Sequence, residues 1–180
     1  MKFPSGCLWI TGLSAAGKTT VAAKIYEYLN KRYDNIISLD GDELRRIFQM
    51  SSASYARDDR IKLGLTYSRL VKELTSQDFF VIIAVIGLYD EIHLWNNENI
   101  SPYFDVVLNV PMHELEKRDP KGLYMRFRKG MVKNVAGLDF KVDFPSSPFC
   151  NIDWDKSLDP ESMSANILDQ LCTALNISHD

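Results

Sequence analysis

Cysteine is scarce: Cys7, Cys150 and Cys172 make an odd set with no CxxC spacing. That argues against a disulfide framework or a thiolate metal site and predicts small, buried apolar residues in a reducing compartment. Long hydrophobic runs are lacking as well. The longest spans 79–88 and is too short to cross a bilayer, so no membrane partner is expected. Cys7-Leu8-Trp9-Ile10 follows almost at once on the N-terminus, without a charged leader and cleavage site. This predicts no signal peptide and a cytoplasmic location. Charge of one sign is not in excess: the formal net charge is -3, which gives no global basic field and disfavours nucleic acid as a partner. His93, His113 and His179 are too scattered for a ligand set, and each is expected as a surface or helix histidine. Internal repeats and linkers rich in Gly, Ser or Pro are missing too, so residues 1–180 are expected to form one domain.

What the sequence does contain is alternation. Apolar runs of strand length at 7–11, 36–40, 79–86, 104–110 and 151–155 are separated by helical patterns. The runs are continuous, as in strands covered by helices on both faces. Val21, Ala22, Ile25, Tyr26 and Leu29 recur at helical spacing, as do Leu63, Tyr67, Leu70, Val71 and Leu74. A last helix is predicted through Ile167, Leu168, Leu171 and Leu175, with Asp159-Pro160 as cap and first position. Trp95 and Trp154 are expected to pack. Residues 119–148 differ from the rest: they hold Gly122, Gly130 and Gly137 and few strand signals, and they are expected to form a mobile lid. The window 117–133 carries Lys117, Arg118, Lys121, Arg126, Arg128, Lys129 and Lys133 against Asp119 alone. By itself such a run reads as a solvated helix face.

Gly12-Leu13-Ser14-Ala15-Ala16-Gly17-Lys18-Thr19 fits GxxxxGK[ST] without a mismatch, between the first strand and an amphipathic helix. Glycines at those places let backbone N–H groups approach phosphate oxygens, and the start of the following helix adds its positive dipole end. Lys18 is then placed to reach the β- and γ-phosphates, and the Thr19 hydroxyl to hold Mg²⁺. The fold this predicts is α/β, a P-loop parallel sheet flanked by helices. No NKxD guanine-reading motif occurs, which argues against a GTPase switch. The second strand ends in Asp40-Gly41-Asp42. In a doubly wound sheet that end faces the ligand crevice, so Asp42 is a candidate to orient or deprotonate an attacking hydroxyl. The plainer reading is that Asp42 caps a helix starting near Glu43; spacing alone leaves both open.

Four segments resemble the adenylylsulfate kinase family, in the family's order and over roughly the first four-fifths of the chain. They are Trp9-Ile10-Thr11 through Thr20, Leu39 to Arg45 (an LDGDxxR motif), Arg118-Asp119-Pro120-Lys121-Gly122-Leu123-Tyr124 (RDPKGLY), and Lys133 to Asp139 (like KNFTGID). The resemblance implies a five-stranded parallel P-loop sheet with a basic lid, and transfer of phosphate from ATP to the 3′-hydroxyl of a nucleotide acceptor. It implies Asp42 as the catalytic carboxylate and Arg45 and Arg60 as holders of the acceptor's anionic groups. Arg118 would lie against the ATP adenine, and Lys133 and Asn134 would close over the acceptor. Members are often dimers, so a homodimer is a further expectation.

The departures all concern the acceptor. Leu63 and Leu65 stand where the family has an asparagine and an arginine, and Gly87-Leu88-Tyr89 replaces its SPY turn, so no phosphoserine can form at Gly87 and direct in-line transfer is expected. The two phenylalanines that sandwich the acceptor's adenine correspond to Tyr55 and Val135, a one-sided stack. The altered run from Asn134 through Phe144-Pro145 resembles family members that phosphorylate cytidine diphosphoramidate. Adenylylsulfate and cytidine diphosphoramidate both stay open as acceptors. Two other classes stand beside them: a kinase of a sugar or sugar acid, and a catalytically silent nucleotide-binding module.

Overall fold

The computed structural model describes residues 1–49 and 56–177. Five parallel strands form one sheet: β1 (Gly6–Thr11), β2 (Ile36–Asp40), β3 (Phe80–Ala84), β4 (Tyr103–Asn109) and β5 (Cys150–Asp153), in the order β2-β3-β1-β4-β5. β1 is central, flanked by β3 and β4, with Gly6 opposite Phe80 and Cys7 opposite Tyr103. Its side chains alternate between two cores. Leu8 and Ile10 pack with Val21, Ile25 and Leu29 of α1 (Lys18–Asn30) and with Ile167 and Leu171 of α7 (Pro160–Ala174). Cys7 and Trp9 pack with Tyr67 and Val71 of α3 (Arg57–Ser76) and Ile92 of α4 (Asp90–Asn99). Both faces are covered at the sheet centre, which is why β1 and β3 are continuous apolar runs, whereas the edge strand β5 alternates buried and exposed residues. All three cysteines are buried free thiols.

Helix ends follow local chemistry. The Asp159 carboxylate accepts from the Ser162 N–H at 2.8 Å and Pro160 fills the first position of α7, as the sequence predicts. α2 (Gly41–Ile47) corrects the capping alternative: its cap is Asp40, whose side chain accepts from the Asp42 N–H at 2.8 Å, and Asp42 lies in the first turn. The strand-end residue has the extended backbone a cap needs, so the helix starts two residues earlier than expected. β3 also stops short of the predicted 79–86 run. Val85 adds one more bond, from its N–H to the Ile10 carbonyl at 3.0 Å, and the chain then turns away at Gly87, whose φ is +45°. A Cβ there would stand 3.0 Å from Trp9 Nε1, so the turn suits glycine on both counts. The fifth strand begins one residue earlier and ends two earlier than the predicted 151–155.

Residues 119–148 contain one helix, α6 (Leu123–Arg128), which follows α5 (Met112–Arg118). The rest is turns, one of them held by Asp139, whose carboxylate accepts from the Asn134 and Val135 N–H groups at 2.8 and 2.6 Å. Burial acts to raise the Asp139 pKa, but these backbone donors hold it below its ordinary value. His93 lies in α4, as expected of a helix histidine, yet it is buried, with Nδ1 3.2 Å from the Tyr103 hydroxyl. Burial lowers its pKa, against the pull of Asp105. Among the described residues no helix is long and apolar enough to cross a membrane.

Candidate active site

The carboxyl ends of β1, β2 and β3 open on a cleft of about 1820 Å³. A ligand cleft is expected there in an open parallel sheet, because helices leave in opposite directions from neighbouring strands. One wall is the glycine-rich turn between β1 and α1. Ser14, Ala15, Ala16, Gly17, Lys18, Thr19 and Thr20 line the cleft, while Gly12 and Leu13 stand behind it, buried. Gly12 is required by crowding: a Cβ would approach the Leu108 carbonyl oxygen to 2.7 Å. Lys18 folds back along the turn and donates from Nζ to the Leu13 carbonyl at 2.8 Å. Burial lowers its pKa to about 7; Asp40 acts to raise it, and Lys121 and Arg45 act to lower it further. The Thr19 hydroxyl donates to Asp40 Oδ2 at 2.6 Å. A neutral hydroxyl beside a carboxylate, both oxygen donors, fits the hard-ligand chemistry of Mg²⁺, which keeps most of its shell for water and phosphate.

The opposite wall comes from α2, α3 and the 119–148 segment. Asp42 forms ion pairs with Arg45, one turn along α2, and with Lys121. Arg60 of α3 donates from Nη2 to the Asn134 carbonyl at 2.5 Å and lies 4.5 Å over the Phe140 ring. That tie, a charged hydrogen bond plus a cation–π contact, fixes the 133–140 turn against α3. Lys133, Asn134 and Val135 line the same cleft. Arg118 stands at its other end, with Nη1 3.5 Å from the Ala15 carbonyl. There the wall is completed by Leu158, Pro160 and Met163. The Tyr124 hydroxyl donates to the Ser14 carbonyl at 2.9 Å, which anchors α6 on the glycine-rich turn.

The chain therefore brings a phosphate-cradling turn, a carboxylate at a strand end and a set of cations around one cleft. The family model for adenylylsulphate kinase matches residues 4–153. The chain belongs to the adenylylsulfate kinase family. It is 38% identical over 140 residues to a cytidine diphosphoramidate kinase of Campylobacter jejuni, covering 78% of this chain and 81% of that one. It is 32% identical over 168 residues to an adenylyl-sulfate kinase of Pseudomonas aeruginosa, covering 92% and 85%. A solved APS kinase of Mycobacterium tuberculosis, in complex with AMPPNP and APS, superposes with a TM-score of 0.84 at 25% identity, covering 94% of this chain and 99% of that one. The protein is accordingly a P-loop kinase, a phosphotransferase of the adenylylsulfate kinase type.

Most of the residues singled out from sequence line the cleft; Gly12 and Leu13 stand behind it, Leu65 is not in its lining although Leu63 is, and Tyr55 lies outside the described residues. Sequence reasoning gave no individual part in the cleft to Asp40, Lys121, Tyr67 or the apolar trio Leu158, Pro160 and Met163; it placed Tyr67 in the apolar pattern of α3, Pro160 at the start of α7 and Lys121 in the basic run. Asp40 was legible in principle, since a strand-end carboxylate two residues before Asp42 can cap and meet Thr19 at once. Lys121 sits in the RDPKGLY-like segment, but its partner is 79 positions away and only tertiary structure supplies it. The apolar trio has no sequence signal that separates it from core.

Proposed function

We propose that the protein transfers the γ-phosphate of Mg-ATP to the 3′-hydroxyl of a nucleotide acceptor, with cytidine diphosphoramidate as the acceptor class and adenylylsulfate as the second reading. The observation that carries the reaction type is the position of Asp42. Its carboxylate stands on the wall facing the glycine-rich turn, among Arg45 and Lys121. Two features support the choice of acceptor. Val135 and Leu63, where family members have an aromatic and a polar residue, suit a smaller base, and identity to the cytidine diphosphoramidate kinase is 38% against 32% for the adenylyl-sulfate kinase. Adenylylsulfate is favoured by the family match itself.

In this reading the backbone N–H groups of 13–19 cradle the β- and γ-phosphates and Lys18 exchanges its Leu13 carbonyl for phosphate oxygens. Thr19 and Asp40 hold Mg²⁺, which when bound supplies charge neutralisation at the phosphates. Arg118 lies along the ATP base, with Leu158 and Met163 as its apolar floor. Arg45 and Arg60 take the acceptor's anionic groups, which releases Asp42 from its Arg45 pair. With Lys121, its other partner, drawn to the phosphates, the carboxylate accepts the proton of the 3′-hydroxyl as the new O–P bond forms and the bridging P–O bond to ADP breaks. Residues 119–148 act as a lid, with Lys121 and Lys133 offsetting charge and the closed segment excluding water. Gly87 offers no hydroxyl for a covalent relay, so transfer is direct. Phosphorus NMR of the product tests this: a single new monoester coupled to the ribose 3′-proton is expected, and phosphate on any other atom of the acceptor, or none, contradicts it.

A further inference from the structure

α3 presents Arg60, Leu63, Gly64 and Tyr67 to the cleft, a spacing of three, four and seven residues that makes one helical stripe. Tyr67 is buried, 3% exposed, with its ring stacked on Phe48 at 6.0 Å. Its hydroxyl is buried and has no hydrogen-bond partner among the described residues. Elsewhere the Tyr124 hydroxyl donates to the Ser14 carbonyl and the Tyr103 hydroxyl meets Asn96 and His93, while Tyr89, also on the cleft wall, resembles Tyr67 in having a buried hydroxyl without a close partner, with the Arg60 guanidinium near it. A ring that served packing alone would lose nothing as phenylalanine, whereas a buried hydroxyl left unpaired is a standing cost. Arg45 and Asp40 lie close enough to act on this hydroxyl, and burial pushes its pKa up to about 12, so it stays protonated and can donate its hydrogen to an oxygen brought to it.

We propose that Tyr67 is an acceptor-binding residue that donates its hydroxyl hydrogen to an anionic oxygen of the acceptor nucleotide, side by side with Arg45. A neutral donor beside a guanidinium holds an anionic oxygen from two directions and fixes its orientation as well as its charge. Arg45 is occupied by Asp42 in the free protein, and an anion that draws it away reaches Tyr67 and leaves the carboxylate with its Lys121 pair alone. This rests on the reading of that wall as the acceptor's seat. It adds a residue that discriminates by the acceptor's anionic end rather than by its base.

Tyr67→Phe removes the hydroxyl and keeps the stack on Phe48. In steady-state assays with Mg-ATP and either cytidine diphosphoramidate or adenylylsulfate, the variant is expected to raise the acceptor KM about tenfold. The KM for ATP stays as in the wild type, and Tm is unchanged or higher because no bond is lost in the free protein. Equal acceptor KM values for the two proteins overturn the proposal while leaving the kinase reading intact. A lower Tm with both KM values raised also overturns it, since that marks a packing role. Silence of the wild-type protein with both acceptors is a different outcome: it removes the nucleotide-acceptor reading and this proposal with it.

Discussion

In the proposed reaction Lys18 meets the ATP phosphates from an unusual starting point. Desolvation and the nearby Lys121 and Arg45 bring its pKa to about 7 in the free protein, against 10.5 for an ordinary lysine, although Asp40 works the other way. Bound phosphates favour the charged ammonium and restore a high pKa. At about pH 8 the free protein then carries only about a tenth of this charge, so binding of a nucleotide takes up about 0.9 proton. The same linkage weakens binding about tenfold between about pH 6, where Lys18 is already protonated, and about pH 8, where binding must first protonate it. The sign is fixed: affinity is greatest below the free-protein pKa and declines as pH rises through it. Calorimetric titration with a non-hydrolysable Mg-ATP analogue measures both quantities, using two buffers of different ionisation enthalpy at the higher pH. Lys18→Met is expected to bind weakly and to lose the buffer dependence together with the pH dependence. Equal apparent enthalpies in the two buffers, with an affinity flat between about pH 6 and pH 8, would refute the reasoning. Lys18 would then be charged before the nucleotide arrives.

Three other substitutions probe separate links. Asp42→Asn is expected to lower kcat by about 10²–10⁴-fold with nucleotide affinity little changed, the range for loss of a general base; rapid-quench turnover at near-wild-type rate would remove that role. The cap of α2 belongs to Asp40, so a fall in Tm for Asp42→Asn is not expected. Asp159→Ala should cost about 1 kcal/mol of stability, a cap bond to Ser162 being lost, and thermal denaturation with an unchanged midpoint would contradict it. Gly87→Ser places a Cβ at a φ of +45° and close to Trp9 Nε1 and Val85 Cγ2. Strain of about 1–3 kcal/mol is expected, read as a lower urea midpoint, and a neutral or stabilised variant would show that the turn relaxes freely.

Much of this was legible without coordinates. The strand runs lie within one or two residues of β1, β2, β4 and β5; for the central β1 this is because a strand buried on both faces leaves no polar positions to blur it, while the half-exposed edge strands β2 and β5 keep enough apolar residues to be seen. The glycine-rich turn was equally legible, since each of its residue types answers a backbone or phosphate requirement. The cap of α2 was not, because Asp40 and Asp42 have the same chemistry and only the extended backbone at Asp40 decides between them. The basic run 117–133 shows the limit from the other side. Its spacing suits a solvated helix face, yet Lys121 pairs with a carboxylate of α2 while Arg128 pairs with Glu116 nearby. Tyr67 was visible as a core position of α3, but the missing partner of its hydroxyl is a property of the packed structure.

The central claim is that this cleft phosphorylates a nucleotide, and the most direct test is ADP release with Mg-ATP, coupled to NADH oxidation, with cytidine diphosphoramidate and adenylylsulfate supplied separately. The account predicts acceptor-dependent ADP release with the cytidine compound at a higher kcat/KM than with adenylylsulfate. A higher kcat/KM with adenylylsulfate would mean that Leu63, Val135 and Gly87 leave the family's usual acceptor in place. No acceptor-dependent release with either, from protein that binds Mg-ATP, would contradict the claim itself.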